Sequence, residues 1–307
     1  QEPILQWLLQ NGGFMDSQVF ILNEKRNVTL TAYLQDDSQE FWRAKKRPAV
    51  VIFPGGAYAY CSDREADPVA QEYLRAGYHA FVLRYSVGWE NAVWPNPLED
   101  YDQAMELIAA HAKEWHLIPE KIAVIGFSAG GHLAACAATM AKHRPAAAIL
   151  AYPVILEGLA AICAKGAPGA DKAVDSQTCP CFIAATGTDT TVSAMNSLRF
   201  VEALYENGIS AELHLYAFGP HGFSTARTSI ADPAELCSRT LHWVEDSISW
   251  LEDVFGAFTS GEMSSPRCPG RVRKDKDPYL SVDCLLATIA ENQIAVERLN
   301  QLILVEE

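Results

Sequence analysis

Gly126-Phe127-Ser128-Ala129-Gly130 sets a serine between two glycines, at a spacing that lets its hydroxyl stand exposed on a sharp turn from strand to helix. Glycines on either side remove the Cβ clashes that such a turn would cause. Residues 122–125 form an apolar run just before it, and residues 130–141 read as a small-residue helix just after it, so Ser128 is a candidate nucleophile. The start of that helix would aim unpaired N–H groups and a positive dipole end at the place where an oxyanion forms. A serine nucleophile needs a base, and the base needs an acid; with this elbow they follow in the order serine, acid, histidine. His221 lies in Gly219-Pro220-His221-Gly222-Phe223, after a strand segment at 211–215, and is the candidate base. His132 is the competitor, but a helix residue directly behind the serine points into packing. Asp189 follows the segment 181–185 and is the candidate acid. Asp171 and Asp175 lie near it, and Asp is common in turns for other reasons.

Phe53-Pro54-Gly55-Gly56-Ala57-Tyr58 follows another apolar run, residues 49–53. A glycine-rich loop there lets backbone N–H groups face a ligand. Gly56, Ala57 and Ala129 are the candidate oxyanion donors. Tyr58, Tyr60, Trp89 and Trp94 are candidates to line the leaving-group pocket, where aromatic faces suit sugar rings; core packing is an equal reading for them. The chemistry requires no cofactor and no metal.

These residues need a scaffold. Segments 19–22, 28–34, 49–53, 79–83, 122–125, 147–151, 181–185 and 211–215 read as strands. Segments 63–76, 98–111, 130–141, 194–207 and 235–255 read as helices. Strands apolar on both faces, alternating with helices, ask for a mostly parallel sheet covered on both sides, with its chemistry at the carboxyl ends of the strands. Residues 154–174 are Ala/Gly-rich and fit no periodic template, which reads as an insertion loop near the site.

The chain has 307 residues, 49% of them apolar, and a formal net charge of −14. It is long enough to bury a large core without staples. The acidic balance argues against a nucleic-acid partner, since phosphate binding needs a basic face. No apolar run reaches the length of a membrane span. Cys179-Pro180-Cys181 has one residue between its thiols, not the two of a redox or zinc motif. Eight scattered cysteines in apolar surroundings suit a reducing, cytoplasmic setting, although a chain beginning at Gln1 leaves a removed leader open.

Past Phe255 the texture changes. Residues 261–278 are rich in Ser, Pro, Gly and charge, and residues 280–305 return to helical periodicity. The expected organisation is a catalytic domain at 1–258, a linker at 259–279 and an amphipathic helix at 280–307. Val282, Leu285, Ile289, Asn292, Val296, Leu299 and Ile303 step by threes and fours, an a/d seam that suits a homo-oligomer; folding back onto the domain is the alternative.

Taken together, these residues resemble the bacterial acetyl esterase/lipase group of α/β-hydrolases, which includes acetyl-xylan esterase-like enzymes. The likeness is carried by residues 53–60, Ser62-Asp63-Arg64-Glu65-Ala66, residues 77–85, residues 126–134, Asn196-Ser197-Leu198-Arg199-Phe200 and residues 219–223. Asp189-Thr190-Thr191-Val192-Ser193 is similar to that group's acid segment, with Ser193 in place of a proline. The resemblance implies an α/β-hydrolase fold over about residues 15–256. It also implies hydrolysis of acetyl or other short acyl esters, often on sugars. A serine peptidase of prolyl-oligopeptidase type shares the triad order, and a non-catalytic hydrolase-fold binding protein is the reading from another class.

Overall fold

A computed structural model describes residues 15–36, 40–273 and 293–303. Its centre is one eight-stranded sheet. The strands are β1 (Met15–Asn23), β2 (Val28–Gln35), β3 (Arg47–Phe53), β4 (His79–Arg84), β5 (Leu117–Phe127), β6 (Ala147–Ala151), β7 (Cys181–Thr186) and β8 (Ala211–Tyr216). They lie in the order β1-β2-β4-β3-β5-β6-β7-β8. β1 and β2 pair antiparallel, β2 joins β4 antiparallel, and every pairing from β4 to β8 is parallel. β3, β6 and β7 are buried along their whole length, as strands covered on both faces must be.

Among the described residues the helices are α1 (Asp67–Arg75), α2 (Asn96–His111), α3 (Ala129–Met140), α4 (Glu157–Cys163), α5 (Met195–Glu206), α6 (Trp243–Phe255) and α7 (Gln293–Ile303). The apolar core divides into two clusters, one on each side of the sheet. Leu133, Phe200 and Tyr101 belong to one, and Tyr73, Phe127 and Trp243 to the other. No helix among the described residues is long and apolar enough to cross a membrane. Their seven cysteines are all free thiols.

Four stretches differ from the sequence expectation. β5 starts at Leu117, because its first residues pair with β3 at Arg47 although Glu120 is exposed. The expected helix at 235–255 begins only at Trp243, after two short 3-10 turns. The insertion 154–174 contains α4 and a 3-10 turn at Ala170–Ala173. The expected linker, in its described part 259–273, is tied to the domain. Arg267 and Cys268 donate N–H bonds to the Asp253 carbonyl, Arg271 bridges to Ile209, and its guanidinium binds the Thr178 and Ser176 carbonyls. Ser, Gly and charge here mark a strap whose polar groups are used by backbone partners. Of the apolar seam, Val282, Leu285, Ile289 and Asn292 lie outside the described residues.

Candidate active site

Strand register places the parts of the site. Phe53 pairs with Gly126, so the loop after β3 begins level with the elbow after β5. Phe127 pairs with Ala151, which brings Tyr152 beside Ser128. Thr186 pairs with Tyr216, which sets the Asp189 loop beside the His221 loop. All of these loops leave the carboxyl ends of their strands, where open α/β sheets carry their chemistry.

Ser128 has φ 53° and ψ −115°, a conformation that side chains rarely adopt. The surroundings hold it there. Its N–H donates to the Ala151 carbonyl at 3.0 Å, and its own carbonyl accepts from Val154 and His132. The flanking glycines are required by space. A Cβ on Gly126 would lie 2.1 Å from the Gly130 carbonyl oxygen, and a Cβ on Gly130 would lie 2.1 Å from that of Phe53.

Ser128 Oγ is 2.8 Å from His221 Nε2, and His221 Nδ1 is 2.6 Å from Asp189 Oδ2. A carboxylate only accepts, so the proton on this neutral imidazole sits on Nδ1 and Nε2 is left to accept from the serine hydroxyl. The Asp189 side chain is 1% exposed. Burial pushes its carboxyl up, but the His221 hydrogen bond and the N–H groups of Val192 and Thr191 outweigh this and hold it below the usual carboxylate range. Thr188 steadies the two loops: its hydroxyl donates to the Gly219 carbonyl and accepts from the Gly219 N–H.

The competing residues lie elsewhere. Asp175 forms a two-pronged pair with Arg144 at 2.5 and 2.9 Å, and Asp171 lies in the insertion. His132 is fully buried; its Nδ1 accepts from the Tyr58 hydroxyl at 2.8 Å, and its Nε2–H donates to the Pro168 carbonyl at 2.8 Å.

Across from Ser128, His221 and Asp189, the residues Gly56, Ala57 and Tyr58 all have positive φ, 124°, 54° and 58°. Among the described residues, the Gly56 and Ala57 N–H groups have no hydrogen-bond partner within the chain. The Ala129 N–H is at the first position of α3, where no intrahelical acceptor exists. A Cβ on Gly55 would lie 3.1 Å from Ser128 Cβ, so this loop packs directly on the elbow.

The aromatic expectations divide. Tyr58 is 1% exposed, bonded to His132 and packed edge-on against Tyr85, so it is a core residue and not a pocket wall. Trp94 is half-buried, with its ring edge-on to His132. Tyr60 is 59% exposed and Trp89 is 77% exposed. Their loops are joined, since the Gly88 N–H donates to the Tyr58 carbonyl at 2.8 Å.

Residues 39–154 match the BD-FAE family. The crystal structure of MGS-M1, an α/β-hydrolase enzyme from a Medee basin deep-sea metagenome library, superposes with a TM-score of 0.71 at 41% identity, covering 78% of this chain and 98% of that one. The chain belongs to the α/β-hydrolase family. An acetyl ester-xyloside bifunctional hydrolase from Caldicellulosiruptor lactoaceticus is similar to this α/β-hydrolase with a TM-score of 0.68 and 28% identity, over 80% of this chain and 98% of that one. The acetylxylan esterase of Xylanibacter ruminicola is 29% identical over 197 residues, which is 57% of this chain and 41% of that protein. The chain spans less than half the length of the curated relatives it matches.

Two residues of this site were not singled out by their chemistry in the sequence. Glu65 accepts from the Gly55 N–H and from the Tyr152 hydroxyl, and the Tyr152 ring lies against His221. Their only sequence signal was the Asp63-Arg64-Glu65 run and the position of Tyr152 directly after a buried strand.

Proposed function

We propose that this protein is a serine carboxylesterase that removes short acyl groups, acetyl foremost, from carbohydrate esters. The reading is carried by the unbroken hydrogen-bonded chain from Ser128 through His221 to Asp189, set beside a loop of positive-φ residues with unpartnered N–H groups. Ser128 Oγ attacks the ester carbonyl and its proton passes to His221 Nε2. Asp189 holds the Nδ1–H and stabilises the imidazolium that results. The N–H groups of Gly56, Ala57 and Ala129 receive the oxyanion, so charge develops against dipoles already in place. The imidazolium then gives its proton to the departing alcohol oxygen. Water deacylates the serine ester by the same route, losing its proton to His221.

The substrate class rests on two supports. The relatives include an acetylxylan esterase and an acetyl ester-xyloside hydrolase. Tyr60 and Trp89 stand exposed on loops joined to the oxyanion loop, where a pyranose ring of the leaving group can stack on them. The test is a panel of acetylated xylosides, aryl acetates and aminoacyl anilides, assayed with the parent and with Ser128→Ala. The expected result is turnover of the acetyl esters, with acetylated sugars foremost, falling by about 10⁶ in kcat on losing the nucleophile. Near-parental turnover by Ser128→Ala would sink the reading, and a preference for anilides would make the protein a peptidase.

A further inference from the structure

Glu65 takes no part in the steps above, yet it is a carboxylate only 2% exposed, bonded to Gly55, which packs on the Ser128 elbow. It ends a 3-10 turn, Asp63–Glu65, and no Lys, Arg or His among the described residues forms an ion pair with it. Burying a charge without a counterion is costly unless hydrogen bonds replace water at both oxygens. Both oxygens are used. The Gly55 N–H donates to Oε2 at 2.8 Å, and the Tyr152 hydroxyl donates to Oε1 at 2.7 Å.

The direction of the second bond is fixed. The Ser224 N–H donates to the Tyr152 oxygen at 2.9 Å, so the phenol proton is left for Glu65. Burial, then the charge of Glu65, pushes the Tyr152 phenol well above its usual range, and it stays a donor. The Tyr152 ring stands edge-on to the His221 ring, 4.9 Å between centroids. The same 3-10 turn grips the histidine loop a second time, where the Ser224 hydroxyl donates to the Arg64 carbonyl at 2.5 Å. Gly222, next to His221, leaves the space that the Arg64 guanidinium fills: a Cβ there would lie 2.4 Å from Nη2.

We infer that Glu65 is a positioning residue that sets the spacing between the oxyanion loop and the catalytic histidine, holding Gly55 with one oxygen and the His221 loop, through Tyr152, with the other. The inference rests on the triad reading above. The two sides of the site leave different strands, β3 and β8, which are not neighbours in the sheet. Backbone pairing alone therefore does not gauge the distance between them, and a bridging side chain does.

Three variants test this: Glu65→Gln, Glu65→Asp and Tyr152→Phe, each assayed on 4-nitrophenyl acetate at 25 °C with its melting temperature measured. Glutamine keeps the reach; its carbonyl takes the Gly55 N–H and its amino group donates to the Tyr152 oxygen, while the phenol proton loses its acceptor, which should lower the melting temperature. It should keep kcat within about threefold of the parent, since a hydrogen bond survives on each side. Aspartate is one methylene short of both partners. It should lower kcat about 100-fold, the cost of misplacing an oxyanion donor, and leave KM within about threefold. Tyr152→Phe cuts only the histidine arm, should lower kcat about 10-fold, and should add little to Glu65→Asp when the two are combined.

A carboxylate that only stabilised the fold would lower the melting temperature and leave kcat of the folded protein unchanged. Glu65→Asp and Tyr152→Phe both within twofold of the parent in kcat would overturn the inference. If Glu65→Asp fails to fold, Tyr152→Phe decides alone, and full kcat there overturns it. Full activity in Ser128→Ala would instead bring down the triad reading, whereas a dead Ser128→Ala beside fully active Glu65→Asp and Tyr152→Phe would remove only the role of Glu65.

Discussion

Asp189 divides its carboxylate between two tasks. Oδ2 takes the Nδ1–H of His221 at 2.6 Å, while Oδ1 takes the backbone N–H groups of Thr191 and Val192 at 2.8 and 2.9 Å. The second set of bonds orients the first, because the side chain cannot rotate without losing them. Asp189→Asn puts an amide where three donors converge. It should lower kcat by roughly 10⁴ through the wrong histidine tautomer. Asp171→Asn and Asp175→Asn should leave kcat close to parental. A crippled Asp175→Asn with an active Asp189→Asn would show that the acid has been misassigned.

Acid should weaken the fold before it reaches the carboxylates. Burial pushes His79 and His132 down from 6.5 to about 4. Between those values the unfolded chain binds protons that the folded chain refuses. The stability these two groups supply is present above pH 6.5 and is lost progressively as pH falls from 6.5 to 4. The loss is on the order of 3 kcal/mol per histidine if both stay neutral when folded. Asp175, held at about 2 mainly by Arg144, supplies stability that is fully present above its unfolded value of 3.8 and is lost only as pH falls from 3.8 towards 2, so it does not change within that window. Urea midpoints measured from pH 7 down to mildly acid conditions should fall steadily, and a flat series would contradict the expectation.

Glycine substitutions should separate sharply. Gly130→Ala drives a methyl against the backbone oxygens of Phe53 and Pro54, which cannot swing aside. It should cost at least about 3 kcal/mol and spread β3 from α3. Gly158, inside α4, has nothing within 4 Å of a new Cβ. Gly158→Ala should be neutral or stabilising by up to about 1 kcal/mol. Equal melting temperatures for the two variants would show that the elbow is looser than its geometry.

Acyl length should be limited by the insertion between β6 and β7. That segment is pinned: Asn196 Oδ1 accepts from Ile155 and Leu156, the Pro168 carbonyl accepts from His132, and the Lys165 N–H donates to Ala92. Such a segment does not swing open like the lid of a lipase. Acetyl esters should therefore exceed octanoyl esters in kcat/KM, and the reverse order would overturn the short-acyl proposal.

Ending the chain after Arg273 should leave fold and esterase turnover intact, because the strap that binds Ser176, Thr178 and Asp253 is retained. Ending it at residue 258 removes the strap and should lower the melting temperature. We propose that the segment after 273 supplies self-association, so the shorter forms should lose oligomer size in light scattering. A full-length monomer at micromolar concentration would rule that out.

Much of this was legible because the signals are local. Residues 49–53, 147–151 and 181–185 are apolar on both faces, which only a covered strand tolerates. Ser128 and Asp189 each follow such a run, whereas His221 follows the edge strand β8, whose Glu212 and His214 break the apolar pattern. What escaped depends on direction. Tyr58 was weighed as a pocket residue, but its ring is buried between His132 and Tyr85. Glu65 reads as an ordinary surface carboxylate, and only the fold places Gly55 and Tyr152 around it. The strap at 259–273 looks like a linker because its partners are backbone carbonyls far away in the chain, which leave no periodic trace.

Arg271 also decides where the rest of the chain departs. Its partners Ser176 and Thr178 precede β7, and Ile209 precedes β8, so the strap grips the amino ends of these strands. Asp189 and His221 follow their carboxyl ends. Six residues of strand, about 20 Å, separate the two levels. At Arg273 the chain therefore lies at the end of the sheet opposite Ser128, Asp189 and His221, so the last described residue of the strap and the site occupy opposite edges of the same strands.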